Sequence, residues 1–220
     1  MKRSPMTRSR LCSIAVVAAV LRSVQPALAD DVVASWDTMK LPPPPVLQPV
    51  KVEPSQTALL LLDFSTGTCN PAQRPRCFES LPTVAKLLAD ARAHGTAIIY
   101  STVPNGSVRD TPQVLAPQPG DPAVSAGADK FLDTDLTDIL KAKHIRTVIV
   151  TGTTAQGAVL YTGSAAALRG YDVVVPVDAM SASDAFGELA TAWVFANGPP
   201  SVSRHVTLTR SNLIGFVANH

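Results

Sequence analysis

Residues 147–171 read TVIVTGTTAQGAVLYTGSAAALRGY. The β-branched run at 147–150 predicts a strand, Gly152 a turn, and the small residues from about Ala155 a helix that Gly170 closes. A strand that feeds a helix N-terminus sets backbone N–H donors at the carboxyl edge of a sheet. In open α/β sheets ligands bind at that edge. The stretch therefore predicts one wall of a site, and its partner is expected at Asp63, which ends the apolar run Thr57–Leu62.

The chain around it alternates strand and helix signals. Residues 57–62 read as a strand buried on both faces. Residues 80–94 predict a helix capped by Ser80, with Val84, Leu87, Leu88 and Ala91 inward and Gly95 as its stop. A second strand follows at 96–101, then a long loop at 102–128 rich in Pro, Gly and Asp. Residues 131–144 predict a helix capped by Thr134, and 145–151 the third strand. Fourth and fifth strands are expected at 171–177 and 205–209, around a helix at 183–197, with a short helix at the end. The succession predicts an α/β fold of three layers, a parallel sheet with helices on both faces.

Residues 1–29 read as a signal peptide. Lys2, Arg3, Arg8 and Arg10 precede an apolar run at 11–21 that is too short to span a membrane, and Ala27-Leu28-Ala29 offers a cleavage site. The protein is accordingly expected in the periplasm or outside the cell, with no stable membrane anchor after cleavage. Five cations and no acids leave with that segment, which turns a net charge of +2 into −3. Nothing in that balance favours nucleic acid. Residues 30–54 form a proline-rich arm, WDTMKLPPPPVLQP at its centre, suited to polyproline II. Residues 55–220 are the folded domain.

Of three cysteines, Cys69 and Cys77 lie outside the signal segment. In an oxidising compartment they form a disulfide, worth about 2–3 kcal/mol by loop closure; the alternative is a nucleophilic thiol beside Arg74 or Arg76.

Candidate chemistry centres on Asp63, as a general acid or base at the sheet edge or as a turn aspartate. Asp178 holds an analogous place but is followed by Ser181 and Ser183, which suits capping. Lys130, at the end of the long loop, either steadies a carboxylate or is a solvated surface lysine. The four histidines show no metal-ligand spacing, GTTAQG is not a dinucleotide fingerprint, and no G-x-S-x-G elbow is present. The expected partner is a small molecule, with no metal and no cofactor.

From about Thr57 to Phe216 the chain resembles the isochorismatase-like hydrolase superfamily, which includes cysteine amidohydrolases such as nicotinamidases and carbamoyl-amide hydrolases. TALLLLDF resembles its first strand, KFLDTDLTDILKAKHIRTVIVTG its F-x-x-T-x-L helix and following strand, and VTGTTAQGAVLYTGSAAALRGYDVVVPVDA its nucleophile segment. The resemblance implies the catalytic aspartate at Asp63 and a cis peptide at Thr153-Thr154. It implies a substrate-binding turn of Thr153, Thr154, Gln156 and Gly157, and assembly as dimers or larger. The chain departs from the pattern in three places. Ala158 stands where the nucleophilic cysteine is expected, and Ser65 where glutamine is common. The lysine expected six residues before Phe131 is Ser125, so Lys130 fills that role only by a rearranged loop. Three functions fit: an exported hydrolase using Asp63 without a covalent cysteine intermediate, an inactive small-molecule-binding or scaffolding protein, and an amidohydrolase whose nucleophile has moved to Cys69 or Cys77.

Overall fold

A computed structural model describes residues 31–217. The expected signal peptide and His220 lie outside the described residues. The chain divides into two units at Pro42/Pro43. In the first, Asp31 caps α1 (Val32–Ser35) by accepting the Ala34 N–H at 2.8 Å.

The second unit holds β1 (Val50–Val52), β2 (Thr57–Leu62), α2 (Pro75–Ala93), β3 (Ala97–Thr102), β4 (Ala123–Ser125), α3 (Leu136–Ala142) and β5 (Thr147–Thr153). It continues with α4 (Leu160–Leu168), β6 (Asp172–Pro176), β7 (Met180–Ser181), α5 (Ala185–Asn197), α6 (Pro200–Ser203), β8 (Val206–Thr209) and β9 (Ile214–Phe216). The main sheet runs β4-β3-β2-β5-β6-β8, every pair parallel, and β7 joins the end of β5 where β6 has turned away.

Alternation along the strands divides the core in two. Ala58, Leu60 and Leu62 of β2, with Val148 and Val150 of β5, pack against Leu140 of α3, Ala166 of α4 and Phe195 of α5. Leu59, Leu61 and Ile149 point the other way, onto Val84, Leu87, Leu88 and Ala91 of α2. A strand that feeds two cores has no polar face, which is why TALLLL carries none of the usual alternation. The result is the expected three-layer α/β/α sheet. Gly163 lets α4 meet α5 closely: a Cβ there would lie 2.8 Å from the Phe195 ring.

Several boundaries differ from the sequence reading, each for a local reason. Helix α2 starts at Pro75, not at Ser80. Proline suits a first turn, and Ser80 lies inside the helix, its hydroxyl donating to the Cys77 carbonyl at 2.7 Å. The expected helix at 131–144 shortens to α3, because Asp133 adopts a left-handed φ of 55° and breaks its first turn. Strand β5 runs on to Thr153, two residues past the expected end, because β7 continues its ladder there. The long loop contains β4, which pairs with the edge of β3. The arm assigned to 30–54 includes β1, which pairs with β9 in a separate parallel ribbon.

Candidate active site

Strands β2 and β3 end at the same level, with Leu62 paired to Ser101. One residue on, Asp63 takes a left-handed φ of 57° and donates its N–H to the Ser101 carbonyl at 3.2 Å. Aspartate tolerates that conformation better than most side chains. The Ser101 hydroxyl donates to Asp63 Oδ1 at 2.8 Å, and Lys130 Nζ lies 2.8 Å from Oδ2. Each carboxylate oxygen thus receives its own donor.

The Lys130 side chain is 0% exposed and that of Asp63 10%. An ammonium so buried requires a partner for each proton. Asp63 takes one, the Ala126 carbonyl another at 2.9 Å, and the Thr102 carbonyl the third at 3.2 Å. Thr162 of α4 secures the backbone beneath it, accepting the Lys130 N–H at 3.2 Å and donating to the Ala128 carbonyl at 3.1 Å. The loop folds back on itself, which brings Lys130 to the carboxylate although it stands directly before Phe131.

The opposite wall is the β5–α4 connection. The Thr153-Thr154 peptide is cis. Ala155–Val159 then form a wide helical turn broken at Gly157, whose φ of −111° and ψ of −105° lie outside helical space. Close packing fixes the wall: at Gly152, with φ of 145°, an added Cβ would come within 2.5 Å of the Leu62 carbonyl oxygen. Thr153, Thr154, Gly157 and Ala158 line a cavity of about 330 Å³ together with Asp63 and Ser101. Gln156 does not. It is exposed and lies beside the first turn of α5, its amide oxygen 3.3 Å from where a Gly187 Cβ would be.

A third wall comes from the segment between Cys69 and Cys77, which are joined as a disulfide. Both are buried and neither lines the cavity. In this structure neither sulfur is a free thiol. Arg74, within that loop, does line the cavity, and its Nη1 donates to the Thr153 hydroxyl at 3.0 Å. Arg76 turns the other way to pair with Glu188 of α5, whose hydrogen bond raises the Arg76 guanidinium above its ordinary value. Beyond the cavity, burial raises the Tyr100 phenol above its usual value although Arg92 pulls it down; its hydroxyl donates to the Leu115 carbonyl at 2.8 Å and so holds the long loop. Asp178 is a structural tie, accepting the Ser211 N–H and hydroxyl at 2.8 and 2.9 Å.

Ser101, Thr102 and Arg74 were not among the residues expected at the site. Ser101 carries a readable signal, since adjacent parallel strands ending together put their last residues side by side. Arg74 carries none, because only the folded disulfide loop aims it. Among the described residues no group of three or more His, Cys, Asp or Glu side chains is arranged to hold a metal ion.

The sequence profile of the isochorismatase domain matches residues 57–197, which span the carboxylate, the lysine and the β5–α4 wall. The chain belongs to the isochorismatase family. Solved structures that share the isochorismatase fold include a cysteine hydrolase from Pseudomonas syringae pv. phaseolicola, 23% identical with a TM-score of 0.64, covering 76% of this chain and 94% of that one. An N-carbamoylsarcosine amidase from Thermoplasma acidophilum is 21% identical with a TM-score of 0.60, covering 71% and 97%. A nicotinamidase from Staphylococcus aureus is 19% identical with a TM-score of 0.60, covering 71% and 99%. No curated protein matches the chain.

Proposed function

We propose that the protein is an exported small-molecule hydrolase of the isochorismatase family that works through Asp63 without a covalent cysteine intermediate. The observation that carries this reading is a carboxylate held by Lys130 and Ser101 at a cavity whose wall at Ala158 presents only a methyl group. A methyl cannot attack a carbonyl, so the nucleophile is water. With a vinyl ether, a proton passes from the Lys130 ammonium through Asp63 Oδ2 to the alkene carbon, water adds to the resulting cation, and the proton that the added water loses returns through Asp63 to Lys130. The hemiketal so formed then releases an alcohol and a ketone. Thr153 and Thr154 orient the substrate. The Cys69–Cys77 disulfide and the basic-apolar leader support export.

The test is a turnover screen of the protein lacking residues 1–29 on small amides, carbamoyl compounds and vinyl ethers, beside Asp63→Asn. A turned-over substrate whose rate falls about 10²–10⁴-fold in the folded variant is the expected result, the usual share of general acid–base catalysis. Equal rates in both proteins would overturn the role of Asp63. A second reading, a pocket that binds without turnover, rests on the absent nucleophile at Ala158; it takes over if compounds bind and none is converted.

A further inference from the structure

We infer that the cavity takes a substrate bearing a carboxylate, and that Arg74 is the residue that recognises it. The inference deepens the hydrolase reading and rests on the same cavity being its substrate site. The electrostatic count of the site points to it. Asp63 and Lys130 cancel one another at 2.8 Å, which leaves Arg74 as the uncompensated charge facing the cavity. Among the described residues no carboxylate lies within ion-pair distance of Arg74. Its neighbour in sequence differs, since Arg76 is neutralised by Glu188. An arginine at a cavity wall without a counter-charge calls for an anion from the ligand.

The arginine is also held ready rather than left to move. The disulfide closes its loop, and Asn70 braces the centre. Asn70 Oδ1 accepts the Ala72 and Gln73 N–H groups at 3.1 and 3.0 Å, and its amide donates to the Thr66 and Gly67 carbonyls at 3.1 and 3.2 Å. The Arg74 N–H donates to the Asn70 carbonyl at 3.0 Å. Nη1 is committed to Thr153, and among the described residues no protein acceptor takes Nε or Nη2. That edge of the guanidinium matches the two oxygens of a carboxylate. One spare positive charge balances a monoanion; a phosphate dianion would bring a second negative charge with nothing opposite it.

The experiment measures binding of acetate, propionate and benzoate, each beside its own primary amide and beside inorganic phosphate, by calorimetry or ligand-observed NMR. Wild type, Arg74→Gln, Arg74→Lys and Asp63→Asn are compared, all confirmed to be folded at the temperature of the measurement. The expected result is a tenfold or greater preference for at least one carboxylate over its amide and over phosphate. It is lost in Arg74→Gln, partly kept in Arg74→Lys, and kept in Asp63→Asn even where turnover is gone. No preference in wild type, a preference for phosphate, or a preference that survives in Arg74→Gln would overturn the inference. Turnover that persists in Asp63→Asn would instead strike the catalytic reading and leave the recognition result standing.

Discussion

Lys130 carries a charge where no solvent reaches it, and its three protons are shared among Asp63 and two backbone carbonyls. Removing the ammonium leaves a nearly buried carboxylate and two orphaned acceptors, so Lys130→Met is expected to cost about 3–5 kcal/mol. Asp63→Asn keeps an oxygen for the lysine to bond and should cost less, about 1–3 kcal/mol. Urea unfolding of both variants checks the order, and a larger loss for Asp63→Asn would contradict it. Tyr100 supplies a pH dependence. Burial raises its folded value above the unfolded one, near 10, so stability holds below about pH 10 and falls as the unfolded chain alone begins to ionise. The fall should be shallower in Tyr100→Phe, measured by unfolding between pH 9 and 11. Asp63 was legible because a strand end is a fixed place. Lys130 was less so, since residue count along a loop does not set distance: Ser125, at the expected spacing, instead donates its hydroxyl to the Val103 carbonyl at 3.1 Å.

Two elements set the walls of the cavity. Where β5 passes the end of β2, the backbone at Gly152 approaches Leu62 too closely for any side chain. Gly152→Ala is expected to destabilise by on the order of 3 kcal/mol and to abolish ligand binding; thermal unfolding with the carboxylate titration checks both. The disulfide loop sets the other wall. Replacing Cys69 and Cys77 together by serine should cost about 2–3 kcal/mol and weaken the carboxylate preference, which places the effect in the loop as well as in stability. Long buried strands were readable because their apolar runs are unambiguous. The start of α2 was not, since Ser80 and Pro82 look like a boundary and are tolerated inside it. Three-residue strands such as β1, β4 and β9 exist only through their partners, so local sequence holds little trace of them.

In the molecule as a whole, stability follows depth. Strands β2 and β5 lie between two cores, whereas β1 and β9 form a ribbon of three paired residues, aided by the stacking of Phe216 on His94 at 5.0 Å. Amide exchange should therefore be slowest in β2 and β5 and markedly faster in β1 and β9, as hydrogen-exchange mass spectrometry would read. Equal protection would mean that the ribbon unfolds with the sheet. The central pair has a kinetic consequence too. The Thr151 hydroxyl bonds the Leu60 carbonyl across 91 residues, so the middle of the sheet cannot close locally. Refolding is then governed by the search for distant neighbours, and milliseconds to seconds is the expected scale. For a chain delivered amino end first, Asp63 emerges early and waits for the segment that completes its pocket.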